Sequence, residues 1–143
     1  MKYLTGLSIL LIVLASCHKS NKTIESGLNQ QWKLSEWDVQ GGGIARSYPG
    51  PDTTIVLDLA SNGSYTVQIN GQSYSSGSFR ILEATAGGID ESQINFSNPL
   101  KLEPGLELFN NEYYSISGGT LTMRSVLLNP GFSFSFIFKP VHM

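Results

Sequence analysis

The chain is predicted to fold as an all-β, eight-stranded antiparallel meander barrel, and three observations predict it. Apolar residues recur with period two rather than 3.6, the spacing that places alternate side chains on one face of a strand. Tight-turn sequences, Asn62-Gly63, Asn70-Gly71 and Gly118-Gly119, punctuate those stretches. Charged residues make up only 14% of 143 residues, while Ser, Gly, Asn and Thr abound, a composition of strands and polar turns.

The amino-terminal segment is set apart from this pattern. Lys2 is followed by an apolar run from Leu4 to Leu14. That is the length of a signal-peptide core and too short to span a bilayer. Leu14-Ala15-Ser16-Cys17 resembles the lipobox of bacterial lipoproteins. The resemblance implies that residues 1–16 are a signal peptide, that the Cys17 thiol takes a diacylglycerol, and that the new amino terminus is acylated. Several buried chains, at about 0.8 kcal/mol per methylene, make stable anchoring out of weak contact. Cys17 is the only cysteine, so the domain holds together by core packing without a disulfide. Residues 17–30 read as the lipidated cysteine and a polar tether, and residues 31–143 as the barrel domain.

Eight strands are expected. The first, 31–40, places Trp32 and Leu34 in one phase and Trp37 and Val39 in the other, which calls for a bulge at Ser35-Glu36. The second, 53–60, alternates Ile55, Leu57 and Leu59 with Thr54, Val56 and Asp58. Ser61-Asn62-Gly63 turns the chain into the third, 64–70, with Tyr65, Val67 and Ile69 on one face. Asn70-Gly71 supplies the positive φ that a type I′ hairpin demands. The fourth, 73–82, carries Gly77 in its middle, a signal for a bulge or bend. The fifth, 92–97, points Ile94 and Phe96 inward. The sixth and seventh, 112–117 and 120–127, join at Gly118-Gly119. The eighth, 132–139, alternates Phe132, Phe134, Phe136 and Phe138 with Ser133, Ser135, Ile137 and Lys139. Residues 41–52 and 83–91 are expected as loops at the barrel ends. Closing the sheet removes both free edges, and eight strands make a barrel filled by side chains or by one small ligand.

The pattern resembles the lipocalin-like lipoproteins of the Bacteroidetes. The shared features are the lipobox, the tether, Trp32-Lys33-Leu34 opening the first strand, and a hydrophobic strand leading into Asn62-Gly63-Ser64-Tyr65. Ser76-Gly77-Ser78-Phe79, the pairing of Tyr114-Ser115-Ile116 with Leu121-Thr122-Met123, and the aromatic closing strand complete the match. The chain departs from true lipocalins at Gln30, where they carry glycine, and it offers only Arg124 or Lys139 for the cation that they pack on the first-strand Trp. The resemblance implies binding rather than catalysis. Some surface-displayed members carry an acidic run after the cysteine, and its absence implies a periplasm-facing domain on the outer membrane.

Several chemistries are disfavoured. The formal charge is −2, with no basic face for nucleic acid and no polybasic membrane patch. The two histidines, His18 and His142, stand in the tether and beside the carboxyl terminus, away from a rigid site. Pro104-Gly105 separates Glu103 from Glu107, and Asp90-Glu91 are adjacent, so neither is a facing carboxylate pair. Gly41-Gly42-Gly43 lacks the Gly-Lys-Ser/Thr of a phosphate loop. No catalytic residue, metal ligand or cofactor is expected. Trp37, Tyr48 and Tyr74 fall near strand ends or beside the glycine-rich loop, and they are the candidate ligand contacts at a barrel mouth. The expectation is a membrane-anchored barrel binding a small apolar or glycan ligand. Its rival is an envelope assembly subunit with a packed interior, acting through its outer loops on a protein partner.

Overall fold

The computed structural model describes residues 21–22, 27–40, 44–86, 89–108, 110–125 and 133–141. Residues 1–16, Cys17, both histidines, Gly41-Gly42-Gly43 and Phe132 lie outside the described residues. The described chain forms twelve strands and no helix. They are β1 (Asn21–Lys22), β2 (Gln31–Gln40), β3 (Ile44–Ser47), β4 (Ile55–Leu59), β5 (Ser64–Ile69) and β6 (Gln72–Ala86). The rest are β7 (Ile89–Phe96), β8 (Leu100–Glu103), β9 (Leu106–Leu108), β10 (Asn111–Ser117), β11 (Thr120–Ser125) and β12 (Ser133–Pro140).

Eight of them close a barrel. In the order β2, β4, β5, β6, β7, β10, β11, β12 each pairs antiparallel with the next, and β12 returns to β2. This is the expected meander, and closure leaves no free edge around the ring. Ser35 is the extra residue of a bulge: Glu36 pairs with Ile137, Leu34 with Phe138, and the Ser35 hydroxyl donates to the Ile137 carbonyl at 3.0 Å. The bulge lets Trp32, Leu34, Trp37 and Val39 share the inner face despite their change of phase. At the tip of the β5–β6 hairpin, Asn70 and Gly71 take φ of 52° and 78°, the left-handed pair that a type I′ turn requires.

The interior is built in cross-strand rows. Ile116, Leu121, Phe138 and Leu34 make one, and Tyr114, Met123, Phe136 and Trp37 the next. Leu34, Ile55, Leu57, Val67, Ile94, Leu121, Met123, Phe136 and Phe138 are at most 1% exposed, so almost no water-sized space touches them. At the Trp32 end the chain plugs itself. Leu28 is fully buried, and its carbonyl accepts the Trp32 indole N–H at 3.0 Å.

Several expectations are corrected. Within 41–52, β3 pairs back on β2 with Arg46 opposite Asp38, and the two side chains form an ion pair at 3.6 Å. Its short, mostly polar sequence concealed it. Residues 83–86 and 89–91, expected as loop, are strand, continuing the β6–β7 hairpin. Pairing there is carried by backbone hydrogen bonds without apolar alternation. The irregularity in β6 falls at Tyr74 rather than Gly77: Gln68 pairs with Ser73, Val67 with Ser75, and Gly77 lies directly opposite Tyr65. The fourth and fifth strands are longer than expected for the same reason as the missing loop. Parts of the 17–30 segment take part in the fold: Asn21–Lys22 pairs with β6 at Leu82 and Ile81, and Leu28 is core. Neither Arg124 nor Lys139 covers Trp32. Both are exposed outward-phase residues, and the Lys139 ammonium donates to the Thr120 hydroxyl at 3.2 Å.

The β8–β9 hairpin was absent from the sequence reading. Leu100, Leu102 and Leu108 are at most 1% exposed and belong to the core, with β8 packed against β5 and β6. Ser75 ties the hairpin down by donating to the Lys101 carbonyl at 3.0 Å. Its turn is Glu103-Pro104-Gly105-Leu106, with Gly105 at φ 83°, the proline–glycine order of a type II turn.

Candidate functional site

Strands β2, β5, β7 and β11 end, and β3, β6, β10 and β12 begin, at the end of the barrel opposite Leu28. The β8–β9 hairpin emerges from the β7–β10 connection and covers the β5–β6 side of this end. On the opposite side the inner face is less enclosed. Val39 and Phe134 are half-buried, as is Trp37 one row deeper, whereas Phe136, which pairs with Trp37, and Phe138 beyond it are at most 1% exposed.

The inner row nearest this end includes two polar side chains, Glu112 and Ser125. Ile94 pairs with Glu112, Glu112 with Ser125, and, two strands on, Phe134 with Val39. Glu112 is fully buried, and Ser125 and Tyr114 are each 7% exposed. The Ser125 hydroxyl oxygen has no hydrogen-bond partner among the described residues. A carboxyl group taken out of water costs several kcal/mol unless its surroundings compensate, and an unmatched hydroxyl costs about 1–3 kcal/mol. An apolar barrel therefore carries its one buried carboxyl, among the described residues, in the layer next to its less enclosed end. Aromatic walls with a carboxyl and a hydroxyl form a surface that holds an apolar body and orients one hydrogen-bonding group.

The three aromatic candidates all stand toward this end. Trp37 faces inward and packs against the core. Tyr48 follows β3, whose last residue, Ser47, pairs with Trp37, and it is 59% exposed. Tyr74 is the bulged residue of β6, 41% exposed, on a strand separated from β2 by β4 and β5. Trp37 is thus the one that lines the interior. Sequence reasoning missed Glu112 and Ser125 as inward groups. The signal was present: Glu112, Tyr114 and Ile116 are in phase along the strand expected at 112–117, so turning Tyr114 and Ile116 inward turns Glu112 inward too. Among the described residues, no group of three or more His, Cys, Asp or Glu is placed to hold a metal ion.

The closed eight-stranded antiparallel barrel is the architecture that the lipocalin resemblance implies, and it is compatible with a ligand-binding interior. No known protein family, curated protein or solved structure matches the chain.

Proposed function

We propose that the protein is a lipocalin-like lipoprotein, acylated at Cys17 and held on the outer membrane facing the periplasm, whose barrel binds a small ligand. The ligand is an apolar or ring-bearing molecule with one polar end, entering beside Trp37, Val39 and Phe134. The observation that carries the reading is the buried Glu112–Ser125 pair in the inner row nearest the less enclosed end. A barrel built only to be stable gains more from an apolar residue at such a position. Binding rather than catalysis is what the lipocalin resemblance implies, and an apolar interior with one carboxyl and one hydroxyl suits it.

Native mass spectrometry of the full chain, released from its membrane in mild detergent, tests the reading. The expected result is a population carrying a small-molecule adduct, lost in Trp37→Ala and weakened in Glu112→Gln. A clean ligand-free mass, with no change in Trp37 fluorescence across a panel of amphiphiles, refutes it.

One observation favours the second reading, an assembly subunit with a packed interior. The inner rows toward Trp32 are filled by side chains, and the β8–β9 hairpin inserts three leucines at the other end. That reading predicts one stoichiometric envelope partner and no adduct.

A further inference from the structure

A second polar cluster lies on the outer wall, back to back with the interior site. Arg80 on β6, Asn95 on β7 and Asn111 on β10 form an outward row across three strands, since Arg80 pairs with Asn95 and Asn95 with Asn111. The row borders a cleft of about 310 Å³ lined by Ser78, Phe79, Arg80, Asn95 and Ser97. That volume is at the lower end of the ~300–1,000 Å³ range of small-molecule sites.

The hydrogen bonding of the cleft is one-sided. The Asn95 side-chain oxygen accepts from the Arg80 Nε at 3.0 Å. The Asn95 amide donates to the Asn110 carbonyl and to the Asn111 side-chain oxygen. The Ser97 hydroxyl oxygen accepts from the Ser78 backbone N–H at 3.1 Å. The Asn95, Asn111 and Ser97 oxygens are thus already engaged by protein donors, and the groups left to face outward include donors: the Arg80 Nη groups, the Asn111 amide and the serine hydroxyls. Arg80 has no ion-pair partner among the described residues. No carboxylate stands among the described outward side chains of β6, β7, β10, β11 and β12. A guanidinium held at Nε by Asn95 has its orientation fixed and its two Nη groups directed away from that bond. This is the fork that pairs with a planar carboxylate.

We propose that this cleft is a subsite for an acidic saccharide, with Arg80 pairing its carboxylate and the flanking serine and asparagine donors meeting ring hydroxyls. It is spatially separate from the interior site, because Asn95 and Asn111 face away from the barrel.

The test is an NMR titration of the full chain in detergent micelles with sodium glucuronate, glucose and sodium acetate, at matched ionic strength. Glucuronate is expected to shift the side-chain amides of Asn95 and Asn111 saturably, glucose to leave them unmoved, and acetate to bind more weakly than glucuronate. Arg80→Gln is expected to weaken glucuronate binding at least about tenfold. Asn111→Asp keeps the oxygen that accepts from Asn95 but adds a negative charge, and it is expected to abolish binding. Glucuronate shifts no larger than those of chloride, or unchanged in Arg80→Gln, overturn the proposal. Acetate binding as tightly as glucuronate overturns the saccharide assignment.

Discussion

Replacing Gly77 with alanine sets a conformational gain against a steric cost. Gly77 pairs with Tyr65 across β5 and β6. A Cβ there meets the Tyr65 Cε1 at 2.8 Å, the Ser97 Oγ at 2.8 Å and the Tyr65 hydroxyl oxygen at 3.0 Å. Ser97 is exposed and can turn away, at the loss of the bond it accepts from Ser78. Tyr65 has no such freedom: it is 3% exposed and meets Phe96 edge to face, with ring centroids 5.2 Å apart and planes at 82°. Ordinary carbon contacts begin near 3.4 Å, so the ring or the strand must move by roughly half an ångström. Overpacking of this kind costs about 1–3 kcal/mol. Alanine in turn restricts the unfolded chain and returns about 0.4–1 kcal/mol. The steric cost wins, and the net expectation is a loss of about 1–2 kcal/mol. For a domain of this size that lowers Tm by roughly 4–10 °C. Thermal unfolding followed by near-ultraviolet circular dichroism measures it. The variant Gly77→Ala/Tyr65→Leu removes the ring, and the alanine is then expected to be neutral or stabilising. An unchanged or higher Tm for Gly77→Ala, or additive effects in the double variant, would refute the close-contact account.

Trp32→Phe removes the indole donor from the Leu28 carbonyl, which keeps the Gln30 backbone N–H at 2.9 Å, and is expected to cost about 0.5–1.5 kcal/mol in denaturant unfolding. Leu28→Ala, which empties the same plug, should cost about 2–5 kcal/mol. Burial pushes the Tyr65 phenol above its ordinary pKa of 10.0, so the fold favours the protonated form. That contribution is complete below the unfolded-state value and is lost as pH rises through the folded one. Unfolding midpoints should therefore fall above about pH 10 more steeply than in Tyr65→Phe; parallel profiles would contradict the assignment. Cys17→Ser is expected to move the protein from the membrane fraction to the soluble fraction on fractionation, with the acyl mass lost from its amino-terminal peptide.

The barrel was legible because its signal is periodic and local. Ile55, Leu57 and Leu59, then Tyr65, Val67 and Ile69, alternate without interruption, and Asn70-Gly71 states the turn between strands. The Ser35 bulge was legible for the same reason: Trp32 and Leu34 differ in phase from Trp37 and Val39, and one extra residue reconciles them. The strands that escaped carry their pairing differently. β3 is announced by one cross-strand charge pair, Asp38 and Arg46, which has no meaning until the register is known. The β8–β9 hairpin alternates correctly, Leu100 and Leu102 against Leu106 and Leu108, around a proline–glycine turn. Its Glu103 and Glu107 draw attention to a polar face and away from the apolar one. The sequence marks Gly77 as a bulge or bend because a glycine's reason is invisible in its own sequence; it lies in the tyrosine ring opposite.

The interior and outer sites depend on one register. Along β7, Ile94 and Phe96 face inward and Asn95 outward; along β10, Glu112 and Tyr114 face inward and Asn111 outward. A slip of β10 by one residue against its neighbours inverts every side chain it presents, placing Asn111 and Tyr113 in the core and Glu112 on the wall. Burial of Tyr114 and Ile116 against Met123 and Leu121 opposes that slip from the β11 side. On the β7 side the Phe96 backbone N–H donates to the Asn110 carbonyl at 2.7 Å, and the Asn95 side chain bonds the same carbonyl and Asn111. Asn95 therefore has two roles in one position. Its amide hydrogens hold β10 in register, which keeps Glu112 inside. Its oxygen holds Arg80, which shapes the cleft outside. A pair of outer amides thus helps hold in register the strand that carries the buried carboxyl.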